Sequence, residues 1–290
     1  MFDFLNANVA ALIAAFFIAS ARTLYRGALS TFSPATTTLF SLLVTAIIAW
    51  CYYFLTGRVE NWPLMGVFWF AVVGFSSSFV ARYLSFISIN LVGLARGSII
   101  IQTSLIWSAM FAVFILGEEF SWEVGAGTLF IMIGSILLVS EGSKVQKSIS
   151  LHYYLVPVAV AFFLALSHFF LKLGFFWLPS ASVGMVVSTS TALLLMLLVL
   201  PFTNEGIPRS LKLRPIFIVV LGGISNALAA VFFLSAVKNG RLVEVIPINR
   251  ISVMIIIFFS WVFFRNQEAI SIRVVTGGIL SVLGAWLIVS

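Results

Sequence analysis

The chain has 290 residues, 62% of them apolar and only 9% charged, with a mean hydropathy of +1.17 and a net charge of +7. A water-soluble domain keeps roughly a quarter of its residues charged, so this composition excludes a soluble globule, a disordered chain, a collagen and a disulfide-stapled secreted domain. A bilayer is the medium in which such a chain folds, and ten spans of about 21 residues would use about 210, leaving no room for a separate soluble domain.

Apolar runs bounded by Gly, Pro, charges and interfacial aromatics predict helices near 7–27, 34–55, 63–89, 92–116, 121–140, 151–174, 180–201, 214–237, 242–264 and 269–289. The first run follows MFDFLNANV, which lacks the basic stretch of a cleavable signal, so it is expected to be retained. The second contains Cys51, the single cysteine, so there is neither a disulfide framework nor a thiolate metal site. Breaks are clearest at TGRVENWP before the third run, EGSKVQKS at mid-chain and NEGIPRSLKLRP before the eighth. Trp62, Trp122 and Trp177 fall at run ends and read as interface anchors. The runs are about twice as long as a barrel strand, and each must satisfy its own backbone, so helix is the expected element throughout.

Laid on itself with a shift of 150, the chain matches FILGEEFSWEVGAGTLFIMIGSILLVS to FRNQEAISIRVVTGGILSVLGAWLIVS, with identities that include Glu118/Glu268, Gly127/Gly277 and Gly134/Gly284. A shift of 149 pairs Gly74/Gly223, Ser76/Ser225, Ala81/Ala230 and Asn90/Asn239, and a shift of 146 lays AAFFIASARTLYR on VAFFLALSHFFLK. Apolar helices agree by chance, but Gly, Ser, Glu and Asn at a nearly constant offset do not. The chain is therefore expected to be a duplication, with repeats at 1–145 and 146–290. Five spans per copy is an odd number, so the second copy enters the membrane inverted. The expected fold is an all-α integral membrane protein of ten helices, two inverted five-helix repeats around a central cavity, the architecture of alternating-access carriers.

These repeated helix ends, GEEFSWEVGAGTLFIMIGSILLVS and NQEAISIRVVTGGILSVLGAWLIVS, together with ten spans in two halves, resemble the EamA group of the drug/metabolite transporter superfamily. The resemblance implies a cavity lined by helices 1, 3, 4, 6, 8 and 9, and membership among exporters of amino acids and other metabolites. One departure is visible. The proline common early in the fourth helix of such proteins is absent from LARGSII, whereas Pro247 stands at the corresponding place in the ninth.

The nine acids, Asp3, Glu60, Glu118, Glu119, Glu123, Glu141, Glu205, Glu244 and Glu268, all fall in tails, loops or terminal turns. The small multidrug branch of the superfamily couples protons to cation export through a carboxylate in its first helix, and LNANVAALIAAFFIASA offers none. Basic groups do occur within the spans, where an Arg costs about 2.5–3.5 kcal/mol and normally faces the bundle interior or water. Arg250 is nearest mid-span, beside Asn249 and after Pro247, and Arg82 lies on a polar stripe with Ser78, Ser85 and Ser88. Arg250, Asn249, Arg82, Ser78, Tyr83, Gln102, Trp107 and Asn226 are therefore the candidate substrate-binding residues. The competing reading is that each Arg ties helices together and each aromatic fills space. Arg22/His168 and Arg26/Lys172 correspond by the shift of 146, and inversion predicts the two i, i+4 pairs at opposite mouths, as gates or as side chains snorkelling to headgroups. His168 is also a candidate proton carrier.

The chain contains no HExxH, GxSxG, CxxC or GxxxxGK[ST], so no catalytic residues, metal site or cofactor are assigned. The expected function is secondary transport of a small polar metabolite, most simply export of an amino acid or related carboxylate across an inner membrane. A phosphorylated organic anion or nucleotide sugar is the alternative within transport, and a membrane enzyme or lipid-handling protein the alternative outside it. The expected partners are the small-molecule substrate and the bilayer, with no nucleic acid, and the expected state is a monomer with a homodimer as the alternative. Lys and Arg concentrate after the odd-numbered spans, which by the positive-inside rule places both termini outside, whereas the family resemblance implies both inside.

Overall fold

The computed structural model describes residues 6–56, 61–92, 97, 100–140, 150–203, 213–263 and 272–289. Arg96, Glu268, all of EGSKVQKS and most of NEGIPRSLKLRP lie outside these residues. Among the described residues every regular element is helical, and six helices are long and apolar enough to cross a membrane.

Helix α1 runs Ala7–Ala28 behind an Asn6 cap whose side chain accepts from the Asn8 N–H, and α2 runs Pro34–Leu55. The start of α2 is dictated locally, by the Ser33 hydroxyl on the Thr36 N–H and by proline in the first turn, where a missing N–H costs nothing. Helix α3 is the span Leu64–Val92. Helix α4 is described over Ser104–Phe114, α5 over Trp122–Ser140, α6 over Leu155–Trp177, α7 over Ala181–Val199 and α8 over Leu213–Asn239. The predicted ninth run is two helices, α9 (Leu242–Asn249) and α10 (Ser252–Phe263), and α11 is Ile272–Val289. Outward faces are apolar, as at Phe16, Ile47, Phe68, Leu198, Phe217 and Val282, all exposed. Buried hydroxyls turn back onto their own helix. Thr38 donates to the Pro34 carbonyl, Thr45 to Ser41, and Thr189 to Met185, each at 2.7 Å.

The packing follows a rule of exchange. Helix α1 lies mainly along α8, and the counterpart pair, α3 and α6, also packs together. Helix α2 meets α8 as α7 meets α3, while α2 with α7 and α5 with α11 are self-corresponding pairs. Single residues obey the same rule. A Cβ on Gly74 would stand 2.5 Å from the Ser188 carbonyl of α7, and one on its repeat partner Gly223 would stand 2.7 Å from Val44 of α2. At the α5–α11 crossing the contact is mutual: a Cβ on Gly127 would lie 2.4 Å from the Gly284 carbonyl, and one on Gly284 2.5 Å from that of Gly127. Small residues here let two backbones touch.

Candidate functional site

A cavity of about 240 Å³ lies between the two halves, lined from α1, α2, α3, Gly97 and Ile101 before α4, α6, α7, α8 and the junction of α9 with α10. Three local departures from regular helix shape it. The middle of α3, Gly74–Ala81, is wound as a π-helix, which turns Ser77 and Ser78 inward. Below it Arg82, Ser85 and Ser88 continue along the cavity wall, so the predicted stripe lies on one face.

The second departure is the break between α9 and α10. Pro247 has no N–H to donate, and Arg250 and Ile251 close a tight turn instead: the Arg250 N–H reaches Pro247 O at 3.0 Å and the Ile251 N–H reaches Ile248 O at 3.1 Å. The third is its counterpart in the other half. Gln102 and Thr103 interrupt the helix before α4, with the Thr103 N–H on Ile100 O at 3.0 Å and the Leu105 N–H on Gln102 O at 3.0 Å. The proline missing from LARGSII is therefore not needed for a break. The two interruptions meet, because Arg250 Nη2 donates to Ser104 Oγ at 2.7 Å.

Around this junction the polar groups converge. Asn249 Nδ2 donates to the Ala11 carbonyl at 3.3 Å, His168 Nδ1 lies 2.9 Å from Ser108 Oγ, and Asn226 Nδ2 donates to Thr45 Oγ1 at 3.5 Å. Arg82 Nη1 donates to Ser41 Oγ at a long 3.4 Å. Arg22 lines the same cavity and meets no hydrogen-bond acceptor among the described residues. Arg250 and His168 are only 8% and 7% exposed. No Asp or Glu is among the described lining residues, so Arg22, Arg82 and Arg250 bring positive charge to the cavity without a carboxylate to offset it.

Of the predicted binding residues, Arg250, Asn249, Arg82, Ser78 and Asn226 line this cavity, and Tyr83, Gln102 and Trp107 do not. Tyr83 is one residue from Arg82, which in a helix is about 100° around the axis, and it packs against the Leu39, Phe79 and Met196 cluster. Gln102 is buried at the break before α4. Trp107 faces outward, its ring edge on Phe162. The predicted mouth pairs are split by depth. Arg22 and His168, a turn further in than their partners, both line the cavity. Arg26 stays in the last turn of α1, where it complements the helix dipole, and Lys172 donates to the Gly240 carbonyl beyond α8.

Two features stand outside the candidate binding residues, although Tyr25, like Tyr83 and Trp107, lies deep enough in its predicted run to line a pocket. The Tyr25 hydroxyl, one turn from Arg22, is buried beside Ser41 and Arg82 without a well-formed hydrogen bond. The i, i+3 spacing from Arg22 was the available signal. Glu118 was the other. Gly117, at φ 68°, turns the chain after α4, and the Glu118 carboxylate then accepts from the Leu242 and Val243 N–H groups, 3.1 Å each, at the start of α9. Lys172 on Gly240 and Arg241 paired to Glu244 (Nε to Oε1, 2.8 Å) complete a polar cluster that joins the ends of α4, α6 and α8 to the start of α9. The cavity extends the other way, towards Phe86, Ser88 and Ile89 at the far end of α3.

A solved structure titled "Crystal structure of protein" is similar over 97% of this chain and 95% of its own, with a TM-score of 0.77 at 18% identity, and shares the fold. No curated protein matches the sequence. The model of the EamA-like transporter family matches twice, over residues 5–140 and again over 151–290, one copy for each half of the exchange seen in the packing. By that double match across nearly its whole length, the chain belongs to the EamA-like transporter family, membrane transporters of the drug/metabolite type.

Proposed function

We propose that this transporter moves a small carboxylate-bearing metabolite, an amino acid or a related acid, out across an inner membrane by alternating access. The observation that supports the substrate class is the cavity itself: Arg22, Arg82 and Arg250, with His168, around one space whose described lining has no acid. In low dielectric an uncompensated guanidinium gains most from an anion, and it meets a carboxylate through two parallel N–H bonds. A phosphorylated anion is the alternative that the same guanidinium chemistry accommodates. Alternating access is supported by the exchange pattern, in which equivalent helices of the two halves swap partners as a two-fold relation between them requires, and by the broken segments that meet at Arg250 and Ser104. Both halves of one chain supply the wall, so one copy is sufficient.

Purified protein in liposomes tests this reading. Radiolabelled amino acids or organic acids should exchange across the membrane and lipophilic cations such as ethidium should not. Robust ethidium transport would overturn the proposal.

A further inference from the structure

The cations in the cavity are held from different walls. Arg250, with Arg22 near enough to repel its charge, donates to Ser104 at the start of α4. Arg82 donates instead to Ser41 of α2, where the buried Tyr25 hydroxyl lies beside it. The hydrogen-bonding capacity left over is divided the same way. Among the described residues Arg22 donates to none, Arg250 and Arg82 each give one bond to a hydroxyl, and the buried Tyr25 hydroxyl beside Ser41 and Arg82 has no well-formed hydrogen bond. A single carboxylate could satisfy one of these centres and would leave the other uncompensated. The described lining has no acid for an ammonium group either; it offers serine and threonine hydroxyls, the Tyr25 hydroxyl, the His168 ring and the Asn226 and Asn249 amides.

Resting on the carboxylate-transport reading above, we infer that the substrate carries two separated anionic groups, one held by Arg22 and Arg250 and the other by Arg82 with Tyr25. A dicarboxylate and a phosphorylated carboxylic acid share this chemistry. An amino acid fits best when its side chain is itself a carboxylate. Selectivity then resides in Arg82 and Tyr25, because the Arg22–Arg250 end accepts any carboxylate.

Competition in proteoliposomes tests the inference, with succinate, glutarate and 3-phosphoglycerate as dianion probes, butyrate and lactate as monoanions, and alanine and phenylalanine as amino acids. Dianions should compete at concentrations at least about tenfold lower than monoanions of similar length, the difference one extra charge-assisted contact supplies. Succinate against 3-phosphoglycerate then separates the two sources of the second charge. In Arg82→Gln the dianion preference, read as the ratio of dianion to butyrate half-inhibitory concentrations so that any general loss of transport cancels, should collapse to about one. Tyr25→Phe, which keeps every charge, should lower the preference about threefold and carries the test should Arg82→Gln fail to fold. Equal competition by monoanions and dianions, or an unchanged preference in either variant, overturns the inference. If phenylalanine and alanine compete and dianions do not, two-site recognition falls while carboxylate transport stands; if only lipophilic cations are carried, both fall.

Discussion

Arg250 and Ser104 stand at corresponding breaks of two helices from opposite halves, and the guanidinium of one donates to the hydroxyl of the other across 2.7 Å. Discontinuous helices in transporters place their free backbone groups at the substrate site, and here the two interruptions are also tied directly to each other. If Arg250 serves the substrate, Arg250→Lys should lose most transport, because a compact ammonium cannot replace a two-pronged donor, and Arg250→Met should lose all of it. Both should melt within a few degrees of the parent. A large fall in melting temperature with normal transport per folded molecule would make Arg250 a helix tie only. Ser104→Ala, which removes about 1 kcal/mol of hydrogen bonding, should weaken transport without abolishing it.

At the α5–α11 crossing the prediction concerns stability alone. Gly127→Ala places a methyl group 2.4 Å from the Gly284 carbonyl, and neither backbone can yield without separating the helices. Overpacking of this kind costs about 1–3 kcal/mol, so the variant should melt several degrees lower in detergent. Any transport defect should scale with the folded fraction.

Glu118 links the two halves at one end of the bundle by capping a helix that begins 124 residues later. Glu118→Ala should cost about 0.5–2 kcal/mol, the usual worth of an N-cap, and that loss should fall on the state described here rather than on folding as a whole. The readout is a thiol at Leu234, which lines the cavity near that end, in a background without Cys51. An impermeant maleimide should label it slowly from that side in the parent and faster once Glu118 is replaced. Unchanged labelling would reduce the cluster to ordinary capping.

Pro247→Ala offers a fourth check. The break at Gln102–Thr103 forms without proline, so the turn at Arg250 should persist in the variant and a substantial part of transport with it. Total loss of transport, with the protein folded, would mean that proline alone holds Arg250 in place.

The limits of the sequence are visible in particular residues. The start of α2 was legible because Ser33 and Pro34 act within one turn. The stripe at Ser78, Arg82, Ser85 and Ser88 was legible because helical period places those residues on one face, and the π turn within α3 did not spoil the pattern. Tyr83 was misplaced because its neighbour's chemistry says nothing about its own direction. The break before α4 carries no proline and left no local mark, and the Glu118 bonds to α9 join residues far apart in the chain. Only the Glu118/Glu268 match between repeats hinted that this carboxylate had a fixed task.

The exchange of partners between halves bears on how the chain is made. Nearly every described helix of the first half finds its main neighbour in the second: α1 on α8, α3 on α6, α5 on α11. During synthesis the first half is inserted before any of those neighbours exists, so Arg22 and Arg82 must enter the bilayer with no complete cavity to face, Arg82 with Ser41 of α2 as its partner from the same half. They then stand against lipid, drawing in water or a headgroup, at a cost that ends only when α6 and α8 arrive. The second half is thus the assembly scaffold of the first, and a nascent chain halted at mid-length is the species most exposed to membrane quality control.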